Sequence, residues 1–389
     1  MSIFSRTDQS LLARWWWTVD RGLLVLIFIL FVIGAFMVAT ASPSVALRIG
    51  LGEYHFFIRH MIVLIPSLVI MLAISLFDTK MIWRGALLAF AGSLFLLVYV
   101  LLFGMEIKGA QRWIHLPGFS LQPSEFAKPA FIVVAAWFIA RQKEKENFPG
   151  FKVAGACYGI LALLLILQPD MGMTFVVTAS FLAVIFLAGL PLRYVFILLG
   201  GSILLFIVAY FTFSHVQSRV DRFLNPEIGD TYQIDKSLNA LKNGGVIGTG
   251  PGHGEVKLSI PDAHADFIFS VAGEEFGLLF IIFLVGLYAY IFIRSFNRIM
   301  DSENIFVILA VGGLLTMFAL QAFIHMGSSL HVIPTKGMTL PLISYGGSSL
   351  LSMSMVMGMI LALTRKQSRR GISQGGLAMK SAKGSKYER

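Results

Sequence analysis

The chain has 389 residues, 57% of them hydrophobic and 13% charged, with a formal net charge of +10 and a mean hydropathy of +0.79. That composition leaves too little polar surface to cover a water-soluble domain and places the chain among integral membrane proteins. The pI near 9.7 does not call for nucleic acid as a partner, because juxtamembrane cations facing anionic membrane lipid account for it.

Apolar runs near twenty residues recur at 22–41, 60–77, 82–103, 123–140, 152–168, 172–190, 193–213, 266–293, 304–325 and 347–364. Each is long enough to cross roughly 30 Å of hydrocarbon, and without water to satisfy the backbone each must be a helix. The expected fold is an all-α polytopic membrane protein of about ten transmembrane helices. Ala39-Thr40-Ala41 resembles a signal-peptidase site, but the run before it exceeds a signal core of about 7–15 residues, so an uncleaved first span is expected. The single cysteine, Cys157, falls inside the fifth span and leaves no disulfide framework or cysteine metal site. Lys and Arg concentrate on the side carrying both termini and the loops after even-numbered spans, which makes that side cytoplasmic. The chain then divides into a cytoplasmic segment 1–21, a ten-helix membrane domain 22–364 and a basic tail 365–389 of disordered composition.

Most connections are short. The exception is the outer-face loop 214–265 between helices 7 and 8, and loops of that length in a compact protein are functional or disordered. Val220, Phe223 and Leu224, and again Ile234, Leu238 and Leu241, have the spacing of short amphipathic helices lying on the membrane surface. All eight histidines fall outside or at the outer rim; interfacial loops tolerate a partly polar ring, and no pair has metal-ligand spacing backed by a third ligand.

Four stretches carry residues able to do chemistry. GAQRWIHLPGFSLQPSEFAKPAF (109–131) puts Pro123 in a helical first turn and makes Glu125 and Lys128 i, i+3 neighbours. Lys128 reads equally as half of a structural ion pair or as a cation facing an inner cavity. NGGVIGTGPGHGE (243–255) has no nucleotide-binding signature; its glycines permit close backbone approach, and composition alone favours a flexible loop. LSIPDAHADFIFSVAGEEFG (258–277) puts Asp266 where a polar loop becomes an apolar helix, in one stripe with Ser270, Gly273 and Gly277, a seam for close helix packing. Asp266 there reads either as a helix-start carboxylate favoured by the dipole or as a reactive group. Glu274 and Glu275 must find partners or be protonated. HVIPTKGMTLPLISYGGSSLL (331–351) breaks any helix before the tenth span, and its Gly-Gly-Ser-Ser can present amides to an anion.

At these stretches the chain resembles the SEDS family (shape, elongation, division and sporulation). QPSEFAK, the NPE…YQ…SL…GG…G loop, PDAHADFIF…GEE and IPTKGMTLPLISYGGSS match in order and spacing over about residues 15–365, and FLAGLPLRY (186–194) and TASP (40–43) are similar to the division branch. Asp262, Ala265 and GPGHGE (250–255) depart from the family's usual strings. The resemblance implies a ten-span peptidoglycan glycosyltransferase that polymerises lipid II at the outer face of the cytoplasmic membrane, during septal wall synthesis. It carries the family's catalytic loop aspartate onto Asp266, its inner-cavity lysine onto Lys128 and its outer-loop tryptophan onto Trp113. Implied partners are a class B penicillin-binding protein and other division-machinery proteins.

With that resemblance, Asp266 is expected to take the proton of a sugar hydroxyl as lipid pyrophosphate leaves. Arg112, Lys128, Arg219, Arg222, Lys242 and Lys336 are the candidate counter-charges, with Glu125, Trp113 and Ser348 also in the expected substrate site. No cofactor is required; a divalent cation such as Mg2+ or Mn2+ can share the leaving charge, though no ligand set demands one. The rival readings are a lipid II flippase, suited by Lys128 and Glu274 inside the membrane, an elongation-branch polymerase, and a scaffold docking partners through residues 6–21 and the basic tail.

Overall fold

The structure, a computed structural model, describes residues 10–106, 110–116, 119–145, 147–212, 217–218, 221, 232–334 and 337–366. In chain order the elements are α1 (Leu11–Thr18), α2 (Arg21–Arg48), α3 (His55–Ser75), α4 (Thr79–Phe103), β1 (Ile114–Leu116), β2 (Phe119–Leu121), α5 (Pro123–Glu144), α6 (Gly150–Leu167), α7 (Met171–Leu187) and α8 (Leu192–Thr212). After the outer loop come α9 (Tyr232–Gly244), a 3-10 turn (Val256–Ser259), α10 (Ile268–Met300), α11 (Ile305–Ser329) and α12 (Gly347–Leu363). All ten expected spans are helices. Seven are long and apolar enough to cross a membrane unaided, whereas α7 and α12 are shorter apolar helices of 17 residues each, and α8 has 21 residues.

The starts follow local chemistry. Asp20, Asp78, Asp170 and Asn304 each accept an amide of the first helical turn, from Leu23, Met81, Met173 and Val307, satisfying a donor the helix leaves orphaned. Pro123 opens α5 at a position where its missing N–H costs nothing.

α5 and α11 form the centre, with 83% and 72% of their apolar windows buried. α5 packs on α4, α6 and α11, while α3 lies outside on α2 and α12. Polar contacts sort the helix ends into two faces. At one, the Lys366 amide donates to the Thr18 carbonyl (3.0 Å), Arg365 to that of Phe77 (2.6 Å), and Arg294 and Arg298 hold the Asp20 carboxylate at 2.6 and 3.0 Å. At the other, Arg48 donates to the Ile260 carbonyl (3.1 Å) and Lys257 to that of Thr40 (3.0 Å). Both ends of the described chain therefore share a face, as the charge pattern requires.

Two local expectations are corrected. α10 starts at Ile268 rather than at Asp266, which lies in the turn immediately before the N-cap Phe267, still at the positive end of the helix. The stripe through Gly277 is also not one helical face, because Gly277 (φ 75°, ψ −175°) breaks α10.

Candidate active site at the outer rim

A cavity of about 950 Å3 opens where the β1–β2 hairpin, the tops of α3, α5 and α7, the turn before α10 and the N-terminus of α12 converge. Asp266, Arg112, Trp113, Glu125 and Ser348 all line it. The half-buried Asp266 is placed by backbone. Its amide donates to the Asp262 carbonyl (3.0 Å) and the Tyr345 amide to the His264 carbonyl (3.0 Å), while Ser344 Oγ donates to the Ala265 carbonyl (2.7 Å). Gly337 holds a left-handed φ of +56°, and a Cβ there would sit 3.1 Å from Asp266 Oδ2. A side chain at 337 would crowd the carboxylate, so glycine answers both demands.

The remaining polar groups are held from several elements. Arg112 donates to the carbonyls of Gln168 and Pro169 and lies 4.0 Å from Asp170. Ser348 Oγ accepts from the Gln122 amide and donates to the Ser120 carbonyl, both at 3.0 Å, tying α12 to the start of α5. Lys128 does not line the cavity: it is fully buried behind Glu125, 2.8 Å from its carboxylate and 3.2 Å from Gln321 Oε1. The ion-pair reading of Lys128 is therefore the one the geometry supports, with Glu125 the member that faces the cavity. Lys242 is exposed on α9 and is not part of the lining. Arg219, Arg222 and Lys336 lie outside the described residues.

The glycine-rich loop is a built element, contrary to the flexible reading. The break at Gly277 leaves groups on either side without helical partners. The loop supplies them: Thr249 and Gly250 amides donate to the Glu274 and Glu275 carbonyls (3.0 and 2.9 Å), and the Leu278 and Leu279 amides donate to the Gly245 and Val246 carbonyls (2.9 and 3.2 Å). Glu274 and Glu275 find the partners they needed. Glu274 accepts from Asn243 Nδ2 and from the Val256 and Lys257 amides at 2.7–2.9 Å, and Glu275 pairs with the buried Lys257 ammonium. Neither lines the cavity.

Sequence reading passed over Arg59, His60 and Tyr345 in the lining, and His264 behind them, its ring 4.3 Å from Phe56 and 4.9 Å from Tyr345. Burial pushes His264 down to about 4, assisted by Arg48 and opposed by Asp262, so it is neutral at pH 7. The available signal was the crowding of histidines on one side of the membrane. Among the described residues, no group of three or more His, Cys, Asp or Glu side chains could hold a metal ion.

A multi-pass helical bundle with an acid-walled, arginine-lined cavity at one face is a membrane enzyme architecture, and comparison with known proteins gives its kind. The sequence profile of the FtsW/RodA/SpoVE family, described as cell cycle protein, matches residues 21–369, and the chain belongs to that family. It is 41% identical over 365 residues to a protein of Caulobacter vibrioides named probable peptidoglycan glycosyltransferase FtsW, covering 94% of each chain. A protein of the same name from Coxiella burnetii is 35% identical over 89% of this chain and 96% of its own. Among solved structures, a chain of a peptidoglycan synthase complex described as coordinating polymerisation and crosslinking has a TM-score of 0.74 at 26% identity, over 89% of this chain and 97% of that one. The rod shape determining protein RodA of Thermus thermophilus has a TM-score of 0.68 at 26% identity, over 91% and 99%.

Proposed function

We propose that this protein polymerises lipid II at the outer face of the cytoplasmic membrane with Asp266 as general base. It is a multi-pass membrane glycosyltransferase of the FtsW kind, acting in peptidoglycan synthesis. The observation that carries the Asp266 reading is its placement: half-buried in the wall of a cavity of about 950 Å3 that also holds Arg112 and Trp113, a volume in the range of small-molecule sites.

In the reaction the 4-hydroxyl oxygen of the acceptor sugar attacks the anomeric carbon of the donor. The C1–O bond to pyrophosphate breaks, its electron pair leaves on the pyrophosphate, and the hydroxyl proton passes to Asp266. Pyrophosphate leaves as a stable anion, so no separate acid is needed. Its charge falls within reach of the arginine-lined wall, where a guanidinium acts as a strong counter-charge. A divalent cation sharing that charge finds no three-ligand protein cradle among the described residues, and no step is routed through one.

The test is lipid II polymerisation by purified protein. Asp266→Asn keeps the size of the side chain and removes the base, so turnover falls by about 10²–10⁴-fold while thermal stability in detergent is unchanged. Full glycan synthesis by that variant would falsify the role. Similarity to a chain of a peptidoglycan synthase complex supports pairing with a class B penicillin-binding protein. The FtsW-named relatives support work at the septum beside other division-machinery proteins, rather than on the elongating side wall.

A further inference from the structure

α11 carries two polar side chains that take no part in the cavity lining yet are enclosed almost completely. Gln321 is 1% exposed and His325 0%. They stand one turn apart, at i and i+4, and so share a face of the helix. That face meets the non-helical segment ahead of α12, of which Gly337, Met338 and Thr339 line the cavity.

Both side chains hold that segment by its backbone. His325 Nδ1 donates to the Met338 carbonyl at 2.6 Å. Gln321 Nε2 donates to the next carbonyl, that of Thr339, at 3.3 Å, while its Oε1 accepts from the Lys128 ammonium. Farther along, the Leu340 amide donates to Ser344 Oγ at 2.8 Å, and that hydroxyl donates in turn to the Ala265 carbonyl. The segment is thus gripped from one side by α11 and joined on the other to the turn bearing Asp266. Between these holds lies Gly337, so near the carboxylate that a Cβ would come within 3.1 Å of Asp266 Oδ2.

The hydrogen bonding of His325 is not that of a ring kept for stability. A carbonyl only accepts, so Nδ1 carries the proton and Nε2 is left as an acceptor. Nε2 is buried and has no hydrogen-bond partner among the described residues. The net gain from one hydrogen bond is smaller than the penalty for a buried polar atom left without one. An aliphatic side chain of similar size would therefore pack at least as well, and what it would forfeit is the hold on Met338.

Resting on the reading of Asp266 as the base, we infer that His325 is a positioning residue for glycan polymerisation. Through Met338 it sets the place of the Gly337 backbone against the Asp266 carboxylate, and it touches no substrate. Gln321 is the second hold, and it ties the same segment to the Glu125–Lys128 pair. A base must stand within hydrogen-bond reach of the proton it takes, and a displacement of about 1 Å costs on the order of 10²-fold in rate.

Two substitutions in the full-length protein, purified in detergent, separate position from stability. His325→Leu fills much of the same space and removes the donor. Its thermal midpoint holds or rises, while kcat for lipid II falls by about 10–10²-fold. KM changes little, because no substrate contact is lost. His325→Asn is smaller and lowers the midpoint, but its Nδ2 stands near the place of Nδ1 and donates to Met338, so most of kcat returns. Activity and stability then rank the two variants in opposite orders. Were the ring only packing, activity would follow the midpoint, with the leucine variant active and the asparagine variant impaired. That ranking, or equal kcat in the two, overturns the positioning role. Polymerisation surviving Asp266→Asn would instead overturn the base reading, and the ranking at position 325 would still show whether turnover needs the segment held.

Discussion

The Lys128 ammonium is fully enclosed, with the Glu125 carboxylate at 2.8 Å and Gln321 Oε1 at 3.2 Å to offset its desolvation. Removing one member of such a pair leaves the other charge buried and uncompensated, at about 3–5 kcal/mol. Lys128→Met and Glu125→Gln each lower the thermal midpoint in detergent, and the double substitution recovers most of the loss. The i, i+3 spacing made the pair legible in the sequence. That Glu125 faces the cavity and Lys128 lies behind it was not legible, since this depends on how α11 packs against α5. His264 offers a second test at this scale. Its folded value of about 4 lies below the ordinary 6.5 because burial disfavours the charged ring. Between those values the unfolded chain binds more protons, so stability is full above pH 6.5 and is lost as the pH falls toward 4. The share of His264 is on the order of 3 kcal/mol, and His264→Gln makes the decline shallower by that share in a series of thermal midpoints against pH.

At the scale of the element, the break in α10 and the glycine-rich loop are one device. Gly277 takes a conformation no other residue type adopts readily, and the loop amides and carbonyls complete the interrupted ladder. Lys257 and Glu274 then fix the far end of the loop just ahead of the Asp266 turn. A Cβ at Gly248 (φ +84°) would lie 2.2 Å from the Glu275 carbonyl oxygen, whereas one at Gly245 (φ +54°) would meet nothing within 4 Å. Gly245→Ala therefore costs only the left-handed strain, about 1–2 kcal/mol. Gly248→Ala also pushes loop and helix apart, so it destabilises more and lowers kcat by shifting the Asp266 turn; comparing midpoints and kcat for the two separates strain from collision. The sequence hid this device for a physical reason. Glycines that let backbones touch and glycines that let a chain flex are the same residues, and the difference lies in the carbonyls they approach. The ten spans were legible because hydropathy registers lipid directly. The start of α10 was misplaced by two residues because Phe267 and Ile268 continue the apolar run across the true boundary.

For the whole molecule, the two faces carry electrostatic devices that respond to acid in different ranges. At the face bearing both described chain ends, Asp20 caps α2 and is gripped by Arg294 and Arg298 of α10. Burial raises the Asp20 carboxyl, but hydrogen bonds from Arg294 and the Leu23 amide, with both arginine charges, hold it below its ordinary 3.8. A depressed carboxylate stabilises the fold above the unfolded value, and that contribution disappears as the pH falls below 3.8 through the folded one. His264, at the opposite face, acts between 6.5 and about 4. The ranges adjoin without overlapping, so acid applied to one side at a time reports on orientation as well as stability. In sealed vesicles with the cavity outward, external pH 5 with pH 7 inside lowers the unfolding temperature, and His264→Gln reduces the drop. The reverse gradient leaves it unchanged, because Asp20 remains ionised at pH 5. Asp20→Asn lowers the midpoint under both gradients, since it strips a buried anchor from two partly exposed cations. If internal acid at pH 5 destabilised the protein and external acid did not, the responding group would lie on the face away from the cavity, and the assignment of His264 and Asp20 to opposite faces would fail.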